Sequence, residues 1–281
     1  MRPDNLKPNN FKRRAFLGQL IVAAATALLL PLRAVAAAWN KAAFDAEKLA
    51  EAQNNSGNVG EIPSTNIQIS APNRAENGAI VQVEIEANIA NVEAIAIFVE
   101  NNPTPLIANI MLGQYKENNI GAQAKLTTRI KMAETSDIKV IVKAAGKYFS
   151  AVKNVQVMEN GCGGGGSGKE KFETSMKLRA KQKVDVISKN LVTEIKAIII
   201  HPMHTGRGKD DFDNIIPAHF IQLVDIAHNG KPALQIQCGT GIAKNPYLTC
   251  YLDGAKIGDK IMLTWHDNLG NTGSGEIAVT A

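Results

Sequence analysis

The sequence is poor in aromatic residues, 5% of 281 positions. That is too few for the stacked platforms that grip single-stranded nucleic acid or for a sugar-binding surface. Histidine is scarce as well, with five residues in all and none before His201. There is no Gly-x-Ser-x-Gly, no phosphate-binding loop and no Cys-x-x-Cys, so the common hydrolase, nucleotide and dithiol chemistries have no foothold. Useful charge is missing too. The formal net charge of +5 is carried by residues 1–38, where six basic side chains face one acidic. The remainder is neutral, and the inference from a basic chain to a nucleic-acid partner fails.

What residues 1–38 do contain is a basic stretch, an apolar run from Leu20 to Leu32, and Ala34-Val35-Ala36-Ala37-Ala38. This is the three-part plan of an export signal, and the run is too short to span a membrane. Cleavage is expected near Ala36 or Ala38, which leaves the chain without a membrane anchor. Lys12-Arg13-Arg14-Ala15-Phe16-Leu17 resembles the twin-arginine motif, with Arg13 and Arg14 as the signal pair, so the expected compartment is the periplasm.

Beyond the leader, Trp39, Ala42, Ala43, Ala46, Leu49 and Ala50 repeat at helical spacing, and Asn54-Asn55-Ser56-Gly57 stops the pattern. One short amphipathic helix is expected. The period then changes to two. Strands are expected near 80–87, 94–100, 106–112, 124–131, 138–144 and 147–157. After a break they are expected again near 183–187, 191–200, 218–227, 233–238, 247–252, 260–266 and 276–280, with a tight hairpin turn at Asn229-Gly230. The fold class that follows is all-β: two immunoglobulin-like antiparallel β-sandwiches joined by a glycine-rich arm, with a short N-terminal helix after a signal peptide. The expected divisions are 1–38, 39–159, 160–175 and 176–281.

Three cysteines occupy different surroundings. Cys238 shares a strand face with Leu234 and Ile236, and Cys250 alternates in phase with Leu248 and Leu252. Two readings stand for this pair, buried core residues or a cross-strand disulfide in an oxidising compartment. Cys162 sits in Asn160-Gly161-Cys162-Gly163-Gly164-Gly165-Gly166-Ser167-Gly168, where neighbours without side chains cannot shield it. A catalytic cysteine needs a base and a rigid oxyanion site, and glycine removes rigidity. Gly161, Gly163 and Gly164 give reach and a slender profile instead. Three functions fit such a thiol: a carrier of covalently bound cargo, a thiol redox enzyme, or a binding module that dimerises through it.

Two further constellations are present. His201 and His204 are spaced H-x-x-H, with His219, His228 and His266 as possible companions, but no partner stands at a recognised ligand spacing; a structural or interface role is expected, and no metal. Asp210, Asp211 and Asp213 lack the glycine and terminal glutamate of a calcium loop, and a solvated hairpin is expected.

The residues also carry a family resemblance. Ala38-Trp39 with Ala43-Phe44, the run Asn102-Pro103-Thr104-Pro105-Leu106-Ile107-Ala108, the run Thr128 to Ser136, and Gly161-Cys162-Gly163-Gly164 resemble SoxY. His201-Pro202-Met203, Thr205-Gly206, Asn229-Gly230-Lys231-Pro232, Asn245-Pro246-Tyr247, and Thr264-Trp265 with Asp267 resemble SoxZ. The chain thus looks like a fused SoxY-SoxZ carrier of thiosulfate oxidation. The resemblance implies a non-enzymatic carrier, without cofactor, that holds sulfur intermediates on Cys162. Its implied partners are a c-type cytochrome that conjugates thiosulfate, a manganese-dependent hydrolase that releases sulfate, and a molybdenum-haem sulfur dehydrogenase. It also implies that the SoxY-like and SoxZ-like parts pair with each other. In the family the cysteine lies two residues from a free C-terminus and follows a second glycine, whereas here Asn160 takes that glycine's place and the chain continues beyond the arm.

Overall fold

Alternation of apolar and polar residues builds most of this protein. Along Val81–Ala87 the side chains of Val81, Val83, Ile85 and Ala87 are buried and Gln82 is exposed, as a period of two dictates for a sheet with one wet face. The computed structural model describes residues 38–112, 121–159, 175–185 and 189–281. Among them no helix is long and apolar enough to cross a membrane.

The first part holds helices α1 (Lys41–Asp45) and α2 (Leu49–Ser56), then strands β1 (Ile62–Pro63), β2 (Ile67–Ser70), β3 (Arg74–Asn77), β4 (Val81–Ala87), β5 (Val92–Val99), β6 (Leu106–Met111), β7 (Gly121–Ile130), β8 (Ser136–Ala144) and β9 (Lys147–Glu159). The second part holds β10 (Met176–Val184), β11 (Leu191–Ile199), β12 (Ile221–His228), β13 (Lys231–Cys238), β14 (Tyr247–Asp253), β15 (Lys260–Asp267) and β16 (Thr272–Ala278). The all-β expectation holds. Asn229 and Gly230, with φ of 47° and 78°, form the expected tight turn between β12 and β13, both in the left-handed region such turns require.

The two parts are joined more closely than a pair of packed sandwiches. One sheet has ten strands in the order β1-β9-β8-β5-β6-β13-β12-β15-β16, with β3 also on β9; the other runs β10-β11-β14-β7-β4-β2. Both sheets cross from one part to the other. In the first, β6 pairs antiparallel with β13, placing Ile110 opposite Ile236 and Ala108 opposite Cys238. In the second, β7 pairs with β14, placing Leu126 opposite Cys250 and Thr128 opposite Leu248. Four strand edges that each part alone would expose are therefore satisfied by the other part. Between the sheets the buried side chains form one continuous core, from Ile95 and Ile97 through Ile110, Leu126, Ile236 and Cys238 to Leu263.

The helical start and the start of β10 differ from the sequence reading. The single N-terminal helix is two, broken where Ala46 adopts an extended conformation (ψ 133°). Phe44 and Ala46 are both buried, against Phe98, Leu106 and Ile141. Residues two apart face different sides of a helix, so the break lets both reach the sheet. Strand β10 starts at Met176 rather than near 183, because its apolar alternation of Met176, Leu178 and Ala180 is hidden among Lys177, Arg179 and Lys181.

Candidate functional site

Cys162 and its neighbours Gly161, Gly163 and Gly164 lie outside the described residues, as do Arg13 and Arg14. The structure instead fixes where the chain leaves before Cys162 and where it returns. Both points are on one rim of the sandwich. At the departure, Gly78 donates its N–H to Glu159 O at 2.9 Å, and Met132 donates to Gly78 O at 2.8 Å. A Cβ on Gly78 would lie 2.3 Å from Met132 O, so only glycine permits this approach. At the return, Ile200 donates its N–H to Ser175 O at 2.8 Å. Glu159 ends β9 in one sheet and Ser175 precedes β10 in the other, so the segment starts and finishes on different sheets at the same end.

Between these two points the rim is locked by a buried lysine. The backbone of Lys131 pairs with Gly241 O at 2.6 Å. Its ammonium donates to Thr240 O at 3.0 Å and to Met203 O, both in the second part. Asn102 completes the lock, donating to Lys131 O at 2.8 Å and accepting from Ala133 N at 2.8 Å. Lys131 is 7% exposed, and carbonyl oxygens replace the water its charge has lost. Sequence reasoning missed this function of Asn102 and Lys131, although both stand in the runs that resemble SoxY. Beside the lock opens a cavity of about 220 Å³, walled by Trp39, Phe44 and Phe220 and by Thr104, Thr205 and Thr240.

His201 and His219 come together at the same rim, and the backbone of His204 pairs there with that of His219. Both rings point at Asp267 Oδ2, His219 Nε2 at 2.8 Å and His201 Nε2 at 3.4 Å. The same carboxylate accepts from Asn271 Nδ2 at 2.8 Å and from the N–H groups of Leu269 and Asn271 at 2.9 and 2.8 Å. These donor atoms are close enough to hold an ion, yet the hydrogen bonding argues for another role. Met203 donates its N–H to His201 Nδ1 at 3.2 Å, which leaves the ring proton on Nε2. A histidine that binds a metal through Nε2 needs the opposite arrangement, a proton on Nδ1 given to an acceptor. The cluster is a buried hydrogen-bond hub for the rim. His228 pairs with Asp259 at 2.8 Å, and His266 is exposed on β15.

Burial lowers the His201 pKa to about 4, from 6.5 in an unfolded chain, against the raising effect of Asp267. Between those values the unfolded chain holds a proton that the folded chain does not. The stability linked to His201 is complete above pH 6.5 and is lost as pH falls toward 4, by on the order of 3 kcal/mol. Melting temperature measured across that window should fall with pH, and His201→Gln should flatten the slope. An equal slope in both proteins would show that His201 is not the titrating group.

Cys238 and Cys250 are free and buried in the core. They belong to different sheets, so they are not cross-strand neighbours, and both stand as free thiols of the core, as the first reading had it. Burial pushes both thiols up to about 12. The acidic turn is the expected hairpin: Lys209 bridges to Ile215, and Asp210 accepts from the N–H groups of Phe212 and Asn214 at 2.9 Å each.

Comparison with known proteins adds the following. Residues 53–162 match the family model "Sulfur oxidation protein SoxY", and residues 181–278 match "Sulphur oxidation protein SoxZ". The first match runs up to Cys162. Among solved structures, the sulfur carrier protein SoxY from Chlorobium limicola f thiosulfatophilum shares 36% identity, over 41% of this chain and 96% of that one, with a TM-score of 0.34. Two variants of a superoxide reductase (neelaredoxin) from Ignicoccus hospitalis share 16% identity over 33% of this chain and 79% of theirs, with a TM-score of 0.28. No curated protein matches the chain.

Proposed function

Because this chain belongs to the SoxY family in its first part and to the SoxZ family in its second, we propose that it is a carrier of sulfur oxidation. It holds thiosulfate-derived intermediates covalently on Cys162 and presents them to partner enzymes. The observation that carries this reading is the SoxY match that extends to Cys162, on a segment rooted at both ends in one rim. The chain supplies no catalysis of its own. A thiol flanked by glycine has no base or oxyanion site in its own segment, and the histidine hub is committed to Asp267.

In the proposed cycle the Cys162 thiol and the thiosulfate dianion join as Cys–S–S–SO3⁻, giving up two electrons to a c-type cytochrome and the thiol's one proton to solvent. Water then cleaves the terminal sulfone in a manganese-dependent hydrolase, which releases sulfate and leaves a persulfide on Cys162. A molybdenum-haem sulfur dehydrogenase then takes up six electrons as three water molecules supply the oxygens that turn the outer persulfide sulfur into a second sulfonate, with the protons released to solvent. All of this belongs to the periplasm, with Arg13 and Arg14 directing export by the twin-arginine route.

The test is the intact mass of protein taken from the periplasm of thiosulfate-grown cells. Mass increments of sulfane or sulfonate size should map to the peptide that contains Cys162. A second reading, a binding module dimerised by its exposed thiol, predicts a disulfide dimer without such adducts, and that result would remove the carrier assignment.

A further inference from the structure

This inference rests on the carrier reading and concerns how the partner enzymes find the segment that bears Cys162. Along β10 one face is apolar, with Leu178 and Ala180 turned to the core, and the other presents Lys177, Arg179, Lys181 and Lys183. That second face is the outer surface of the six-stranded sheet. Register places Lys196 opposite Arg179 and Glu194 opposite Lys181. Across the seam, Arg129 of β7 lies over the Tyr247 ring at 4.8 Å, and Lys125 lies over Tyr251 at 5.6 Å.

The surface divides by charge pairing. Away from the rim, carboxylates answer the cations: Glu194 holds Lys183 at 2.8 Å and Lys196 at 3.3 Å, and Glu86 holds Lys125 at 2.8 Å. At the rim end, Lys177, Arg179 and Arg129 have no carboxylate partner among the described residues. Lys177 follows Ser175, where the chain returns from Cys162, by two positions. A neutral exported chain therefore gathers unanswered positive charge beside the root of the segment that carries its cargo.

Lysines on an edge strand also discourage unwanted pairing, but that explanation covers only part of the pattern. At Ala180 and Gln182 the open side of β10 is already occupied, since Thr280 donates to Ala180 O at 3.0 Å and accepts from Gln182 N at 2.8 Å. Arg129, moreover, stands on β7, an interior strand with no edge to guard.

We propose that Lys177, Arg179 and Arg129, grouped around Tyr247, form a docking patch for an acidic surface at the entrance of the enzymes that receive Cys162. Exposed charges suit a carrier that must visit several enzymes and leave each one. They raise the encounter rate and orient the approach, and being screened by salt they do not hold the product.

The experiment compares the double variant Lys177→Glu/Arg179→Glu with Lys147→Glu/Lys256→Glu, an equal charge change at exposed lysines elsewhere. The probe is the purified manganese-dependent sulfate-releasing hydrolase of the same cells. Kd is measured at low and high ionic strength, and sulfate release from loaded protein is measured at saturating carrier. The patch variant should bind roughly tenfold or more weakly at low salt and lose most of its salt dependence. The control should change less than about twofold, and sulfate release at saturation and melting should be unchanged in both. If both variants weaken alike, or neither does, while sulfate is still released, the patch is wrong and the carrier reading stands. If the hydrolase releases no sulfate from the loaded parent, both fall. Binding to phosphatidylserine vesicles that is lost in the patch variant, with hydrolase affinity intact, would assign the patch to lipid and overturn the proposal.

Discussion

Replacing Cys162 with serine is expected to abolish loading of sulfur intermediates while leaving the melting temperature unchanged within about a degree. The second half of that expectation follows from the sequence, since Cys162 stands among glycines that carry no side chain to pack a core, and substitutions away from packed or hydrogen-bonded features change stability little. The first half follows from the chemistry of the other thiols. A thiol near the ordinary value of about 8.5 is a few per cent thiolate at neutral pH. Cys238 and Cys250, buried and raised to about 12, hold less reactive thiolate by about three orders of magnitude, and neither is reachable. No second cysteine can stand in for the first. Peptide mass spectrometry after incubation with thiosulfate and the conjugating cytochrome checks this directly. Adducts that persist on the serine variant, or a large loss of stability, would show that the cargo sits elsewhere.

Much of this was legible because it is local. Alternation at Val81–Ala87 and the Asn229-Gly230 turn each follow from a few adjacent residues. The core positions of Cys238 and Cys250 were legible for the same reason, since each alternates with leucines whose side of the sheet is forced. What stayed hidden depends on residues far apart in sequence. Lys131 reads as one more surface lysine until Met203 O and Thr240 O are placed around its ammonium. Asp267 gives no sign that His201, His219 and Asn271 all converge on it. Strands β1 to β3 were missed because two to four residues with little buried surface carry no period to read. The sharing of both sheets was the largest omission, and it could not be otherwise, because no pattern within β6 or β7 names the strand that will lie beside it.

That sharing makes a second strong expectation. Cutting the chain between Gly164 and Gly165 should leave one particle on gel filtration at micromolar concentration, because the two parts are held by two strand ladders and a common core rather than by the link. Ile110→Asp should separate them. Ile110 is 1% exposed and lies opposite Ile236 across the seam, so an aspartate there puts an unpaired carboxylate where both parts need apolar contact. The lost burial of the isoleucine is worth roughly 2–3 kcal/mol, and the unpaired carboxylate adds several kcal/mol more. In the uncut chain the tether keeps the parts at high effective concentration and masks part of that loss; in the cut chain nothing does. The cut Ile110→Asp protein should therefore run as two species or precipitate, while the cut parent stays whole. A cut parent that falls apart would mean that the seam is weaker than its paired strands indicate, and that the covalent link, rather than the shared sheets, keeps the two parts together.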